Sequence, residues 1–280
     1  MNRHSSAAHQ AARRLESGLY GGGWVVRLAR TLGIRPRLTT TELHVELAWP
    51  PDSPRLRIGY ASDFHAGPTT DPDVFPLACE ALRTGRPNVV LLGGDFVNFK
   101  LSELDLLLPD LERLASEQPC FAVLGNHDWL ADAPAISRKL EAAGIEVLTN
   151  RNVRLQPPFA HVWICGLDDH WCGSPDADQA FLGADGTRIV LMHAPSGLLD
   201  IGDHRFDLAL CGHTHGGQIA LPGGRPLILP NGRLSRRYSR GSYQLAERRT
   251  LFVSRGVGCA MMPVRMHADA EVVACTVGAR

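Results

Sequence analysis

The sequence carries no excess of charge. Its 29 basic and 29 acidic side chains cancel, which argues against bulk nucleic-acid binding through net positive charge. It also has no C-x-x-C pair. The seven cysteines (79, 120, 165, 172, 211, 259 and 275) are odd in number, scattered, and in several cases embedded in apolar strand-like runs. That distribution fits buried reduced thiols in a cytoplasmic protein and excludes a disulfide framework. No internal repeat and no low-complexity linker are present, so a solenoid is not indicated. Residues 1–40 contain no uninterrupted apolar run approaching the roughly 18–20 residues of a membrane span.

That first segment differs from the rest. Seven arginines (3, 13, 14, 27, 30, 35 and 37) face a single acid, Glu16, giving it a charge of +6. Arg13-Arg14 has the look of a twin-arginine signal, but Arg27 and Arg30 interrupt the apolar region that should come next. Trp24, Val25, Leu28 and Leu32 suit a basic amphipathic helix on an anionic membrane surface, at the inner face of the membrane. They suit equally a helix docked on the domain, or an arm. We therefore set residues 1–40 apart as a basic N-terminal extension, and 41–280 as one domain.

Beyond residue 40 the chain is rich in short apolar runs. With 44% hydrophobic and 21% charged residues, it can bury a sizeable core. Leu43 to Leu47 alternates like a half-buried edge strand, and Leu56 to Ala61, Asn88 to Leu92 and Cys120 to Leu124 read as buried strands. Between them, Asp73 to Thr84, Leu101 to Ser116 and Pro134 to Gly144 have helical spacing, with Pro109 placed to kink the second. Glu146 to Leu148 reads as a further strand. Strand, loop and helix repeat, the signature of an α/β fold. The second half is β-rich, with strands expected over 153–155, 162–165, 189–192, 207–211, 251–254 and 271–277, and reads as a second sheet packed on the first.

The polar residues sit where these runs end. Asp63 and His65, Asp95, Asn126 with His127 and Asp128, His193, and His213 with His215 all come directly after apolar runs, the position from which open α/β sheets hold ligands. In His213-Thr214-His215 the spacing puts both imidazoles on one side of an extended segment. Capping and turn-making account for Asp63, Asp95 or Asn126 taken singly. Together with five histidines they form a carboxylate, imidazole and amide set suited to Mn, Fe, Zn or Co, and too large for one four-coordinate ion.

In order, Asp63-Phe64-His65, Gly94-Asp95-Phe96-Val97-Asn98, Gly125-Asn126-His127-Asp128, His193 and Gly212-His213-Thr214-His215 resemble the five motifs of the calcineurin-like metallophosphoesterases, over residues 56–220. Gly216-Gly217-Gln218, Tyr238 with Gly241-Ser242-Tyr243, 253–258 and Pro263-Val264-Arg265 resemble the bacterial YkuE/YaeI-type phosphodiesterase branch. The resemblance implies a four-layer α/β/β/α sandwich of two mixed sheets flanked by helices. It implies two divalent cations, one held by Asp63, His65, Asp95 and His215, the other by Asp95, Asn126, His193 and His213. A hydroxide bridging the two would attack in line. His127, oriented by Asp128, would assist the leaving group.

The substrate implied is a phosphodiester or a pyrophosphate. Protein-phosphatase members carry Gly-Asp-x-x-Asp-Arg-Gly and Gly-Asn-His-Glu, whereas this chain has Asn98-Phe99-Lys100 and Asp128. A lipid-linked pyrophosphate of the UDP-diacylglucosamine type is the alternative substrate, and the basic extension would suit it. A non-catalytic scaffold is a third reading, but such relatives lose ligands or the leaving-group histidine, and here every one is present. Arg255, Arg265 and His170 are candidates for contact with substrate; for the arginines a structural salt bridge competes.

Overall fold

A computed structural model of the chain describes residues 18–33, 37–230, 232–245 and 249–279. Among the described residues, twelve strands form two sheets. In chain order they are β1 (Leu38–Glu46), β2 (Leu56–Ala61), β3 (Val89–Leu92), β4 (Cys120–Ala122), β5 (Ile145–Val147), β6 (Arg151–Arg154), β7 (Val162–Gly166), β8 (Thr187–Leu191), β9 (Leu208–Cys211), β10 (Gly241–Gln244), β11 (Thr250–Val253) and β12 (Ala270–Gly278). One sheet runs β1-β12-β2-β3-β4-β5 and the other β10-β11-β9-β8-β7-β6. Both are mixed: β2 to β5 are parallel and β12 is antiparallel to β2, while β7, β8, β9 and β11 are parallel between antiparallel β6 and β10.

Side-chain alternation builds the layers. In β3, Val89 and Leu91 join the core between the sheets, while Val90 and Leu92 point to the outer helices. In β8, Ile189 and Leu191 face inward, while Val190 packs outward with Met192. A strand covered on both faces loses polar alternation, which is why these segments read as continuous apolar runs. The first sheet is covered by α-helices whose apolar faces join its outer core. With α1 (Trp24–Thr31) preceding the sheet, these are α2 (Val74–Thr84), α3 (Leu108–Glu117), the short α4 (Asn126–Ala131) and α5 (Ala133–Ala142). Short helices over Ala177–Ala180 and Leu198–Ile201 pack on the outer face of the second sheet with Val190 and Ala209, giving the expected four-layer α/β/β/α sandwich of two mixed sheets.

Three details differ from the sequence expectation. The single helix expected over Leu101 to Ser116 is two elements, a 3-10 turn over Leu101–Leu106 and then α3. Pro109 lies in the first turn of α3, where no intrahelical N–H is needed, so it starts a helix instead of kinking one. Several short elements, α4, the edge strand β10 and the helices over Ala177–Ala180, Leu198–Ile201 and Arg233–Arg237, lacked enough periodicity to be seen. Strand β1 begins at Leu38 and pairs in parallel with β12 along its whole length, so its first residues lie within the segment assigned to the extension.

Part of that extension is helical. α1 buries Val26 and is tied to the domain through Arg30, which pairs with Asp71 and Asp73. Trp24, Leu28 and Leu32 remain exposed. The Arg13-Arg14 pair lies outside the described residues. Among those described, no helix is long and apolar enough to cross a membrane.

Leu191 is fully buried between the sheets. Leu191→Ala should therefore lower the unfolding free energy by about 3 kcal/mol, as a removed side chain plus an unfilled cavity, measured by urea denaturation.

Candidate metal centre

Five loops converge at one end of the sandwich. They extend from β2, β3, β4, β8 and β9, and they carry Asp63 and His65, Asp95, Asn126 to Asp128, His193, and His213 with His215. Parallel neighbours in each sheet deliver their carboxyl ends to the same edge, and packing the sheets face to face brings the two edges together. The backbone bends sharply to do so. Asp63, His65, Asp95, His213 and His215 all have positive φ, between 43° and 70°. A non-glycine residue pays of order 1 kcal/mol for that conformation, and such strain gathers where a site over-determines the chain. Glycine is required alongside: a Cβ on Gly212 would collide with Asp63 Oδ2, and one on Gly125 with Asp95 Oδ1.

The side chains meet through their ligand atoms. His65 Nε2 lies 3.1 Å from His215 Nε2 and 3.4 Å from Asp95 Oδ2. His215 Nε2 is 3.5 Å from Asp63 Oδ1. On the other side of Asp95, His193 Nε2 is 3.2 Å from the same Oδ2, 3.1 Å from Asn126 Oδ1 and 3.2 Å from His213 Nδ1. The groups Asp63–His65–His215, His65–Asp95–His127 and Asp95–His193–His213 each bring three ligand atoms within 4.8 Å of one another. Every metal candidate named from the sequence therefore lies in one cluster around Asp95.

Electrostatics favours a cation there. Burial, reinforced by the neighbouring imidazoles, holds His65 and His213 at about 3 and His215 well below the ordinary histidine range. All three are neutral at pH 7, with lone pairs available. Burial raises Asp63 to about 6, and Asp95 adds to this. Burial alone would also raise Asp95, but His193, His127 and His65 outweigh it and hold the carboxyl well below its usual range. The same pairing lifts His193 above its ordinary value despite burial. Two neutral imidazole nitrogens facing each other at 3.1 Å, as in His65 and His215, are poor partners unless a proton or a cation lies between them. The donor set fits a divalent metal.

Partners behind the cluster aim it. His193 Nδ1 donates to Gly93 O at 2.8 Å, which aims Nε2 inward at Asp95. The Asp63 carboxylate accepts the His213 backbone N–H at 2.9 Å. His127 differs from the sequence expectation in one respect. Its ring is held by Asn98, whose backbone carbonyl accepts from Nδ1 at 2.6 Å, and its backbone N–H donates to Asp95 Oδ1 at 2.8 Å. No hydrogen bond joins it to Asp128. That carboxylate instead accepts the backbone N–H groups of Gly125, Asp95, Phe96 and Val97, at 2.8–3.2 Å. Asp128 clasps two motif loops together; it is not the group that orients His127. Burial and the Asp95 charge push it up to about 7, against the pull of those N–H groups.

The three residues suggested for substrate contact are turned toward the protein. Arg255 pairs with Glu271 at 3.0 Å and donates to Thr39 Oγ1, so the competing salt bridge is the one observed. Arg265 donates to the carbonyls of Gly258, Ala268, Arg255 and Gly256, and its Nη2 lies 3.3 Å from His215 Nδ1. It buttresses the loop behind His215. His170 is bound through Nδ1 to Asp200 at 2.6 Å. Backbone acceptors such as Gly93 O and Asn98 O were not foreseen, because no side-chain identity signals them.

Removing the Asp128 carboxylate leaves four buried N–H groups without acceptors. Asp128→Ala should cost about 3 kcal/mol or more in urea denaturation of the metal-free protein, a loss that a purely catalytic side chain would not show.

Residues 56–217 match the family model described as calcineurin-like phosphoesterase. The chain is 35% identical over 195 residues to phosphodiesterase YaeI of Escherichia coli, covering 67% of this chain and 69% of that one. It is 29% identical over 201 residues to the metallophosphoesterase YkuE of Bacillus subtilis, covering 70% and 69%. Over 255 residues it is 31% identical to a transmembrane protein with a metallophosphoesterase domain from Bos taurus; there it covers 85% of this chain and 56% of that one. With the motifs, the two-sheet fold and the cluster around Asp95 in place, these matches make the chain a member of the calcineurin-like phosphoesterase family of metal-dependent phosphoesterases.

Proposed function

We propose that this protein hydrolyses a phosphodiester or pyrophosphate bond using two divalent cations held side by side. The observation that carries the reading is the arrangement around Asp95: one trio of ligand atoms from Asp63, His65 and His215, and a second from Asp95, His193 and His213. Asp63, His65, Asp95 and His215 would hold one cation, and Asp95, Asn126, His193 and His213 the other. Mn, Fe, Zn and Co all suit nitrogen and oxygen donors of this kind. Such a pair supplies an activated water at neutral pH and neutralises charge developing on the phosphoryl group.

The chain's own residues do the rest. Asp95, a member of the second trio and 3.4 Å from His65 of the first, would offset the repulsion between two dications. His127 has Nδ1 committed to Asn98 O, so as an imidazolium it keeps Nε2–H to give to a departing alkoxide. Phe99 and His65 pack against its ring and limit its rotation. A diester fits better than a phosphoprotein because Asn98 and Asp128 stand where protein-phosphatase motifs carry Asp and Glu. The similarity to a phosphodiesterase supports the same choice.

A second reading has an observation of its own. α1 and the residue that caps it expose Trp24, Leu28 and Leu32 beside Arg27, a surface suited to an anionic membrane. It favours a lipid-linked pyrophosphate of the UDP-diacylglucosamine type, with residues 1–40 as a membrane-facing extension and 41–280 as the catalytic domain.

Hydrolysis of bis-(p-nitrophenyl) phosphate beside p-nitrophenyl phosphate, with Mn²⁺ supplied, tests the main reading. The diester should be cleaved, and Asp95→Asn should abolish turnover. His127→Ala should lose on the order of a hundredfold on esters with alkyl leaving groups, and much less on nitrophenolate, which departs without a proton. Metal loading without cleavage of any diester or pyrophosphate would contradict the proposal.

A further inference from the structure

Two loops beyond the histidine motif expose large apolar side chains. On one, Leu221, Leu227 and Ile228 are 42%, 57% and 57% exposed; on the other, Met261, Val264 and Met266 are 66%, 45% and 51% exposed. Backbone hydrogen bonds knit the loops into one surface. Leu227 N–H donates to Ile219 O at 2.9 Å, Ala220 N–H to Met266 O at 2.8 Å, and Met266 N–H to Gln218 O at 2.9 Å. The Gln218 side chain ties in the second loop at Met262 O and Ala260 N, both at 2.8 Å. Gln218 comes directly after the 3-10 turn that carries His215, so this surface is fixed beside the metal centre. Apolar residues scattered singly need no explanation, but six on two joined loops do.

Charge identifies what covers them. Between Asp207 and Glu247 the chain has no acidic residue and five arginines, at 225, 233, 236, 237 and 240. Arg225, Arg233, Arg236 and Arg237 are exposed. The segment that holds the first loop is thus cationic throughout, with Arg225 in the loop itself and Arg240 donating to Gly223 O at 2.7 Å. Apolar side chains that reach the acyl boundary, with guanidinium groups at the level of lipid phosphates, are the features of an interfacial membrane contact. A two-fold contact with a second copy would set these arginines against themselves. Gly23, the residue before α1, lies near Pro68 O, and the next residue after that proline, Thr69, donates to Cys259 O at 2.7 Å, at the start of the second loop.

We propose that loops 219–230 and 259–266 form a docking face for an anionic lipid bilayer beside the His213–His215 turn. The face is separate from the N-terminal extension, and it shares with the lipid-linked substrate reading only the class of partner. Binding requires no turnover, so either idea can fail alone.

The test is co-sedimentation of the full chain with vesicles of mixed phosphatidylglycerol and phosphatidylcholine, against phosphatidylcholine alone. Binding to the anionic vesicles is expected, weakening as salt is raised. Leu227→Asp with Met261→Asp should lower the affinity roughly tenfold while the thermal unfolding midpoint holds. Arg225→Gln with Arg236→Gln, both at exposed positions, gives an independent loss should the first pair disturb the fold. Unaltered binding by both pairs, equal binding to neutral vesicles, or no binding to either would overturn the proposal. Diester hydrolysis assayed on the same samples separates the outcomes: a chain that binds vesicles but cleaves nothing keeps the docking face and loses the hydrolase.

Discussion

Everything in this molecule turns on a buried carboxylate with imidazoles on both sides. Asp95 Oδ2 lies 3.4 Å from His65 and 3.2 Å from His193, and its Oδ1 accepts the backbone N–H of His127. A lone charge in such a place would be costly to bury. Here His193 compensates it, and His65, His213 and His215 are left neutral with their lone pairs converging. That is a poor arrangement for a metal-free core and a good one for cations. Tight backbone approach maintains it: glycine at 125 and 212, positive φ at five site residues, and the Asp128 carboxylate gripping four N–H groups across two loops.

The fold is the means of bringing these loops together. Parallel strands β2, β3 and β4 in one sheet, and β8 and β9 in the other, present their carboxyl ends at a common edge. The inter-sheet core, with Ile58, Leu91, Leu191 and Leu210 in it, sets how closely the edges approach. A shift of either sheet would separate Asp63 from His213, which are joined by a hydrogen bond between the sheets. Stability of the core and geometry of the centre are thus linked through a few buried leucines and isoleucines.

Much of this could be read from the residues. Apolar runs ending in Asp, Asn or His located the strands and the centre together, because a strand buried on both faces and a ligand loop after it leave adjoining marks. The role of Asp128 could not be read that way. Its neighbour His127 suggested a dyad, but its carboxylate serves backbone groups more than thirty positions away, and main-chain donors have no sequence signature. Arg255 and Arg265 illustrate the same limit: an arginine near a phosphate site looks alike whether it faces substrate, Glu271 or a row of carbonyls. The short elements α4 and β10 hold too few residues for a period to emerge, and Pro109 marks a helix start or a kink equally well until the preceding 3-10 turn is known.

The central claim, that Asp95 lies between two cations, is open to one direct measurement. Anomalous diffraction from crystals soaked in Mn²⁺ should show two peaks roughly 3.5–4 Å apart, one beside Asp63, His65 and His215, the other beside Asn126, His193 and His213, with the Asp95 carboxylate between them. A single peak, or manganese bound away from Asp95, would contradict it.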